Sequence, residues 1–153
     1  MSIRILETKE IKIEDIIILY KANEWSSAEK PDLLYKGLLN SETLITAWDD
    51  TKLVGLGNAI SDGYLTVYYP HLLILPEYQG KGITSKMVSE TLDFCFNTLN
   101  MNKVFICTSK INKASQQIAL KHHFKQEGIL REEFKSSEGT LEDIVYFGLL
   151  KSE

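Results

Sequence analysis

The sequence predicts a mixed α/β (α+β) domain: one central, mostly antiparallel sheet of about seven strands, flanked by about four helices. Three observations predict it. Short apolar runs of strand character alternate with segments of helical periodicity along the whole chain. Asp62-Gly63 is a hairpin turn signal and Asp49-Asp50 reads as another turn, so the strands they join are expected to be antiparallel. Finally, the run Leu72-Leu73-Ile74-Leu75 stops at Pro76 and leads through a glycine-rich stretch into an apolar helical stripe. That is a strand–loop–helix unit.

Taken in order, Ile3 to Leu6 alternates like a first strand, and helix signals begin at Thr8 and continue through Ile16, Ile17, Leu19 and Tyr20. Asn23 to Ser27 breaks that helix, and Pro31, a good first-turn residue, opens a second one through Leu39. Thr43–Trp48 and Leu53–Ile60 read as an antiparallel pair. Tyr64–Leu75 is a long strand in which Pro70 should mark an edge or a bulge, because proline cannot donate to a ladder. Ile83, Met87, Val88, Thr91, Leu92 and Cys95 form the main helix stripe. A strand over Val104–Cys107 and a helix from about Asn112 to His122 follow. Two closing strands, around Gly128–Phe134 and Ile144–Leu150, flank a polar turn at Ser136–Gly139. No linker or repeat divides the chain, so residues 1–153 are expected to form one domain.

The glycine-rich stretch is Gln79-Gly80-Lys81-Gly82-Ile83-Thr84. A loop of this kind aims unpaired backbone N–H groups and the positive end of a helix dipole at one point, which suits phosphate. It is not a nucleotide P-loop, since Lys81 precedes Gly82 where that pattern needs Lys-Ser/Thr after the glycine. Nor is Gly55-Leu56-Gly57 a dinucleotide fingerprint, because Ile60 replaces the third glycine and the pair lies inside a strand pattern.

Gln79-x-x-Gly82-x-Thr84 after a proline-terminated strand closely resembles the Gln/Arg-x-x-Gly-x-Gly/Ala acetyl-CoA loop of the GNAT superfamily of N-acyltransferases. The element order resembles that fold over nearly the whole chain. The departure is Thr84, where the family usually has Gly or Ala. The resemblance implies a GNAT-like sheet whose fourth and fifth strands splay around the pantetheine arm. It places Leu73, Ile74 and Leu75 against that arm, and Gln79, Gly80, Lys81, Gly82, Ile83 and Thr84 against the pyrophosphate. Asn112 is implied as a further CoA contact at the start of its helix. Two stretches point to different acceptors. Gly55–Gly63 looks like a subgroup of amine-type acetyltransferases, whereas Asn112–Ser115 and Phe124–Arg131 look like the ribosomal-protein N-terminal acetyltransferases.

Acyl transfer to an amine needs a base for the ammonium proton, N–H donors for the developing oxyanion, and an acid for the departing thiolate. The family's usual acid is a tyrosine, but its position here is Ala119. Ser115 takes the acid's place in the ribosomal-protein group, so Ser115 is the candidate acid; a local bond at the helix start is its other reading. His71, on the strand before the loop, is the candidate base, with Glu132 and Glu133 as runners-up. Strand-end amides near Ile74 and Leu75 are the expected oxyanion donors. Trp25 and Asp62 are the candidate acceptor contacts, although Asp-Gly is also an ordinary turn pair.

The implied activity is an acetyl-CoA-dependent N-acetyltransferase acting on a primary amine, a small molecule or a peptide N-terminus, by direct ternary-complex attack. Two alternatives stand beside it: a GNAT-like module that binds CoA for regulation without turnover, and an interaction domain without CoA. A net charge of −4 argues against general nucleic-acid binding. Three histidines without ligand spacing suggest no metal site. Cys95 and Cys107 read as buried thiols of a reducing compartment. Met1–Glu10 is charged throughout, so no leader or membrane span is expected and the chain is read as cytoplasmic. Many family members dimerise, which makes a homodimer one assembly the resemblance allows.

Overall fold

The computed structural model describes residues 1–153. Strands β1 (Ile3–Glu7), β2 (Thr43–Asp49), β3 (Lys52–Ser61), β4 (Thr66–Ile74), β5 (Lys103–Ser109), β6 (Lys125–Lys135) and β7 (Leu141–Leu150) form one sheet in the order β1-β2-β3-β4-β5-β7-β6. Helices α1 (Ile13–Ala22) and α2 (Pro31–Leu39) lie between β1 and β2, α3 (Ile83–Asp93) between β4 and β5, and α4 (Lys113–Lys121) between β5 and β6. Every pairing is antiparallel except β4 with β5. No helix is long and apolar enough to cross a membrane.

The parallel pairing is short. It joins only Thr66–Tyr68 to Lys103–Phe105. Beyond Tyr68 the two strands part, although β4 continues to Ile74 and β5 to Ser109. The parting coincides with a register shift against β3, where Asn58 pairs His71 but Ile60 pairs Tyr68. One extra residue, at Tyr69-Pro70, is therefore accommodated on β4. The expected bulge at Pro70 is present, and it bends β4 away from its neighbour.

Two apolar clusters fill the two halves. The first contains Ile16, Leu19, Tyr20, Leu38, Leu56 and Met87, and the second Val88, Cys95, Val104, Phe124 and Phe147. Adjacent residues of α3, Met87 and Val88, belong to different clusters, so this one helix joins the halves across the parted strands.

Several boundaries differ from expectation. Helix α1 starts at Ile13 rather than Thr8, because the Thr8 N–H donates to Leu44 O and its hydroxyl accepts from Glu10 N–H. Such local bonds compete with a helical turn. Helix α3 runs into a π turn over Phe94–Thr98, closed by Leu99 N–H to Phe94 O. Cys95 is buried, but Cys107 is only half-buried. Alternation along β5 puts Val104, Ile106 and Thr108 beneath the helices and turns Cys107 to the open face with Phe105.

Two close approaches yield stability predictions. A Cβ on Gly57 would stand 2.0 Å from the Tyr69 hydroxyl, whose ring is buried and cannot withdraw. Gly57→Ala should lower unfolding free energy by about 1–3 kcal/mol in urea titration. His123 ends α4 at φ 66°, where its N–H bonds Leu120 O and Phe124 N–H bonds Ala119 O. A non-glycine residue pays about 1–2 kcal/mol for that conformation, partly offset by its stiffer unfolded chain, so His123→Gly should stabilise by about 0.5–1 kcal/mol.

Candidate active site

The glycine loop opens α3. Gly80 and Gly82 both take left-handed backbone, at φ 74° and 76°. This conformation costs glycine nothing. Ile83 is buried in the first cluster and anchors the helix start, leaving its backbone facing outward. The N–H groups of residues 80 through 85 find no acceptor within the chain; the first closed bond is Lys86 N–H to Gly82 O at 3.2 Å. No acidic side chain occupies the first turn of α3, so nothing opposes the helix dipole there. Gln79 differs from the rest of the motif, since its own N–H donates to Pro76 O. Lys81 holds its ammonium 4.9 Å from the centre of the Tyr78 ring, and the Tyr78 hydroxyl donates to Asp49. Thr84 is half-buried, and beside it Ser85 Oγ meets His122 Nε2 at 2.9 Å.

A cleft of about 490 Å³ occupies the gap between β4 and β5. It passes through the sheet. Ile106, Thr108, Asn112, Ser115 and Ile118 line it on the side of α3 and α4, while Trp25, Tyr68, Cys107, Leu130, Phe134 and Ile144 line the opposite side. Asn112 caps α4, its side-chain oxygen accepting from Ser115 N–H at 3.1 Å. The Ser115 hydroxyl has no partner in the chain. Ala119 is fully buried in the second cluster and packs where a tyrosine would otherwise project. Of the two β4 tyrosines that line the cleft, Tyr69 turns its hydroxyl to accept from Thr91 Oγ1 of α3, and burial holds its pKa far above the ordinary value.

Strand alternation settles which β4 amides face the gap. Leu75 N–H donates to Val54 O, and His71 N–H turns toward β3 as well, to Asn58 Oδ1. Leu73 shares that direction, whereas Leu72 and Ile74 point toward the departed strand. Leu73 and Leu75 are thus corrected as backbone contacts for the arm, and Leu75 as an oxyanion donor: both turn to β3, and the ladder already uses the Leu75 N–H. Ile74 remains, joined by Leu72, and Ile74 O accepts from Asn23 Nδ2 at 3.0 Å.

His71 is not itself among the residues lining the cleft but packs against Trp25, which is. Its Nδ1 meets the Tyr20 hydroxyl at 2.6 Å, and the imidazole packs edge-on against Tyr20 and Trp25 at centroid distances of 5.6 and 5.1 Å. Burial lowers the His71 pKa below the ordinary histidine value, so the neutral ring dominates at neutral pH. Burial also keeps the Tyr20 hydroxyl protonated. When Nδ1 carries the proton and donates to that oxygen, Nε2 keeps a free lone pair. Tyr20 is wholly buried, as core packing would have it, yet it also orients the imidazole. Asn58 is a residue that pattern reading missed. Beside the bulge His71 N–H donates to Asn58 Oδ1, while Asn58 Nδ2 donates to Ser41 Oγ at 2.9 Å. A lone amide inside the apolar run Gly57-Asn58-Ala59 was the available signal.

Asp62 is a turn residue. Its carboxylate accepts from Tyr64 and Leu65 N–H at 2.9 Å each, bonds that also lower its pKa, and it does not line the cleft. The acceptor role expected for it is therefore withdrawn. Of the two glutamates weighed as bases, Glu132 takes φ 51° within a bulge, while Glu133 reaches the cleft.

The family model described as "Acetyltransferase (GNAT) family" matches residues 11–124. Spermidine N(1)-acetyltransferase of Vibrio cholerae is 29% identical over 116 residues, 74% of this chain and 66% of that protein. Spermidine N(1)-acetyltransferase of Escherichia coli is 36% identical over 63 residues, covering 41% and 34%. A putative ribosomal N-acetyltransferase of Bacillus subtilis is 32% identical over 80 residues, covering 52% and 43%. The matched stretch thus spans less than two-thirds of each of these relatives. Among solved structures, a chimeric spermidine N-acetyltransferase built on the Vibrio cholerae protein superposes with TM-score 0.79 at 24% identity, covering 99% of this chain and 98% of that one. At that identity the likeness concerns the fold. With the family model spanning the loop, the parted strands and α4, the chain belongs to the GNAT acetyltransferase family.

Proposed function

We propose that this chain is an acetyl-CoA-dependent N-acetyltransferase that acetylates a primary amine by direct attack within a ternary complex. One observation carries the reading. The unpaired N–H groups of residues 80 through 85 stand at the start of α3, directly after the strand that forms one wall of the cleft. Such a set of donors at a helix start fits a pyrophosphate. A cleft through the sheet lets two reactants enter from opposite faces. Naming of relatives as spermidine and ribosomal N-acetyltransferases supports turnover over the binding-only alternative.

Acetyl-CoA, when bound, supplies a thioester whose carbonyl carbon is the electrophile. The chain's own groups divide the remaining work. Leu72 and Ile74 N–H are the donors free to meet negative charge on the acyl oxygen. His71 Nε2 takes the amine's proton, through water beside Trp25, and Tyr20 accepts from Nδ1–H as the imidazolium forms. Ser115 Oγ holds a proton it can pass to the departing sulfur, while Asn112 keeps Ser115 at the first turn of α4. Direct attack is favoured over an acyl-cysteine route: Cys95 is buried, and Cys107, although it lines the cleft, has its thiol pKa raised by burial.

Three outcomes follow. Gly82→Trp should abolish acetyl-CoA binding in calorimetry, because residue 82 is left-handed and a side chain there crowds the N–H groups; retained binding would overturn the loop assignment. His71→Gln should lower kcat by roughly 10²-fold or more with little change in the KM for acetyl-CoA. The acid limb of the kcat/KM profile should lie below the ordinary histidine value, as burial lowers the His71 pKa. The same shift bears on stability. Below pH of about 6.5 the unfolded chain binds a proton that the native imidazole refuses, so unfolding free energy falls as pH drops through that window. His122, lowered chiefly by burial, adds to the trend. Thermal melts of the parent and His71→Gln between neutral and acid pH would check it.

A further inference from the structure

We infer that the acceptor is a primary monoamine carrying an aromatic or branched aliphatic body, and that polyamines are poor substrates. This rests on the N-acetyltransferase reading above and narrows it. Glu133 is the sole charged residue among the cleft walls. It has no hydrogen-bond or ion-pair partner in the chain. Two neighbouring carboxylates, neither of them lining the cleft, have partners of their own. Glu142 accepts from Ser109 Oγ, and Asp143 pairs with Lys110 at 3.3 Å while accepting from Glu132 N–H at 3.0 Å.

The bulge in β6 produces this arrangement. Leu130 pairs with Ile144 and Phe134 with Glu142, so three residues, Arg131 to Glu133, stand opposite Asp143 alone. Left-handed Glu132 ties the bulge to Asp143 and leaves Glu133 at the cleft. Around that single carboxylate the acceptor face is Trp25, Tyr68, Leu130, Phe134 and Ile144. One ammonium finds one counter-charge there. A second or third would lie against apolar and aromatic walls and lose hydration without a partner. An apolar body instead gains by covering surface that is now wet: Phe134 and Leu130 are 50% and 44% exposed. The inference sets this chain apart from relatives named for spermidine.

The test is thiol release from acetyl-CoA with phenethylamine, isoamylamine and spermidine, using the full chain. The monoamines should exceed spermidine in kcat/KM by roughly tenfold or more, the scale on which one mismatched group discriminates in an apolar pocket. Glu133→Gln should raise the phenethylamine KM with a smaller change in kcat. Leu130→Glu, at an exposed position, should raise the spermidine-to-phenethylamine ratio by adding a second carboxylate. Spermidine equal to or better than the monoamines would overturn the inference and leave the acetyltransferase reading standing. An unchanged phenethylamine KM in Glu133→Gln would overturn the role of that carboxylate. Acetyl-CoA binding without thiol release for any amine would overturn both readings.

Discussion

The parting of β4 from β5 after Tyr68 and Phe105 is the constraint on which the site depends. A sheet interior normally leaves no backbone amide unpaired, since each buried orphan is costly. Here β4 runs on through Ile74 with one edge bare, inside the sheet rather than at its margin. The fold tolerates this because α3 closes over both halves through Met87 and Val88. The exposed amides are then available to a ligand rather than to a strand. An acyl-pantetheine arm, extended and amide-bearing, is chemically close to the strand it would replace.

The Tyr69-Pro70 bulge sits directly before His71, whose N–H donates to Asn58 Oδ1 and whose imidazole packs in the aromatic cluster of Tyr20 and Trp25. Asn58 makes the bulge affordable within the interior. Its amide satisfies His71 on one side and Ser41 on the other, and Ser41 Oγ continues to Gly37 O at 3.2 Å. A fully satisfied buried network of this sort holds one geometry, because any partial rearrangement leaves a polar group unpaired. The histidine is thus positioned from α1, α2 and β3 at once.

On the proposed reading, acceptor preference belongs to a separate part of the chain, the β6–β7 ribbon. GNAT-family membership does not dictate the acceptor, and the two relatives' names differ on it. What this ribbon offers is a bulge where Glu142 accepts from Ser109 and Asp143 pairs with Lys110, while Glu133 alone among its carboxylates lines the cleft. The cofactor loop and the acceptor wall are therefore separable in sequence, the first in residues 79–85 and the second mainly in β5, β6 and β7.

Much of the fold was legible because it is encoded locally. Turn pairs, the apolar run before Pro76 and the stripe from Ile83 to Cys95 each specify backbone geometry within a few residues. The loop donors belong to the same class: glycines 80 and 82 and a helix start generate free N–H groups wherever the chain lies. The bulge at Pro70 was legible too, because proline's missing N–H acts on its own strand. What no window contains is a partner brought from afar. Tyr20 and His71 are 51 residues apart, and the periodicity of α1 marks Tyr20 only as apolar. Leu75 was misread as a free donor because Val54, which accepts its N–H, is set by strand register. Asp62 and Glu133 show the same limit in opposite senses. Both are acidic residues at a turn or a bulge, and only tertiary structure decides that local N–H groups consume one while the other reaches a largely apolar cleft unpaired. The sequence by itself determined the elements and the anion loop, since these follow from local backbone sterics and periodicity. Tertiary structure alone decided which polar groups remained unsatisfied, because satisfaction depends on neighbours across the sheet.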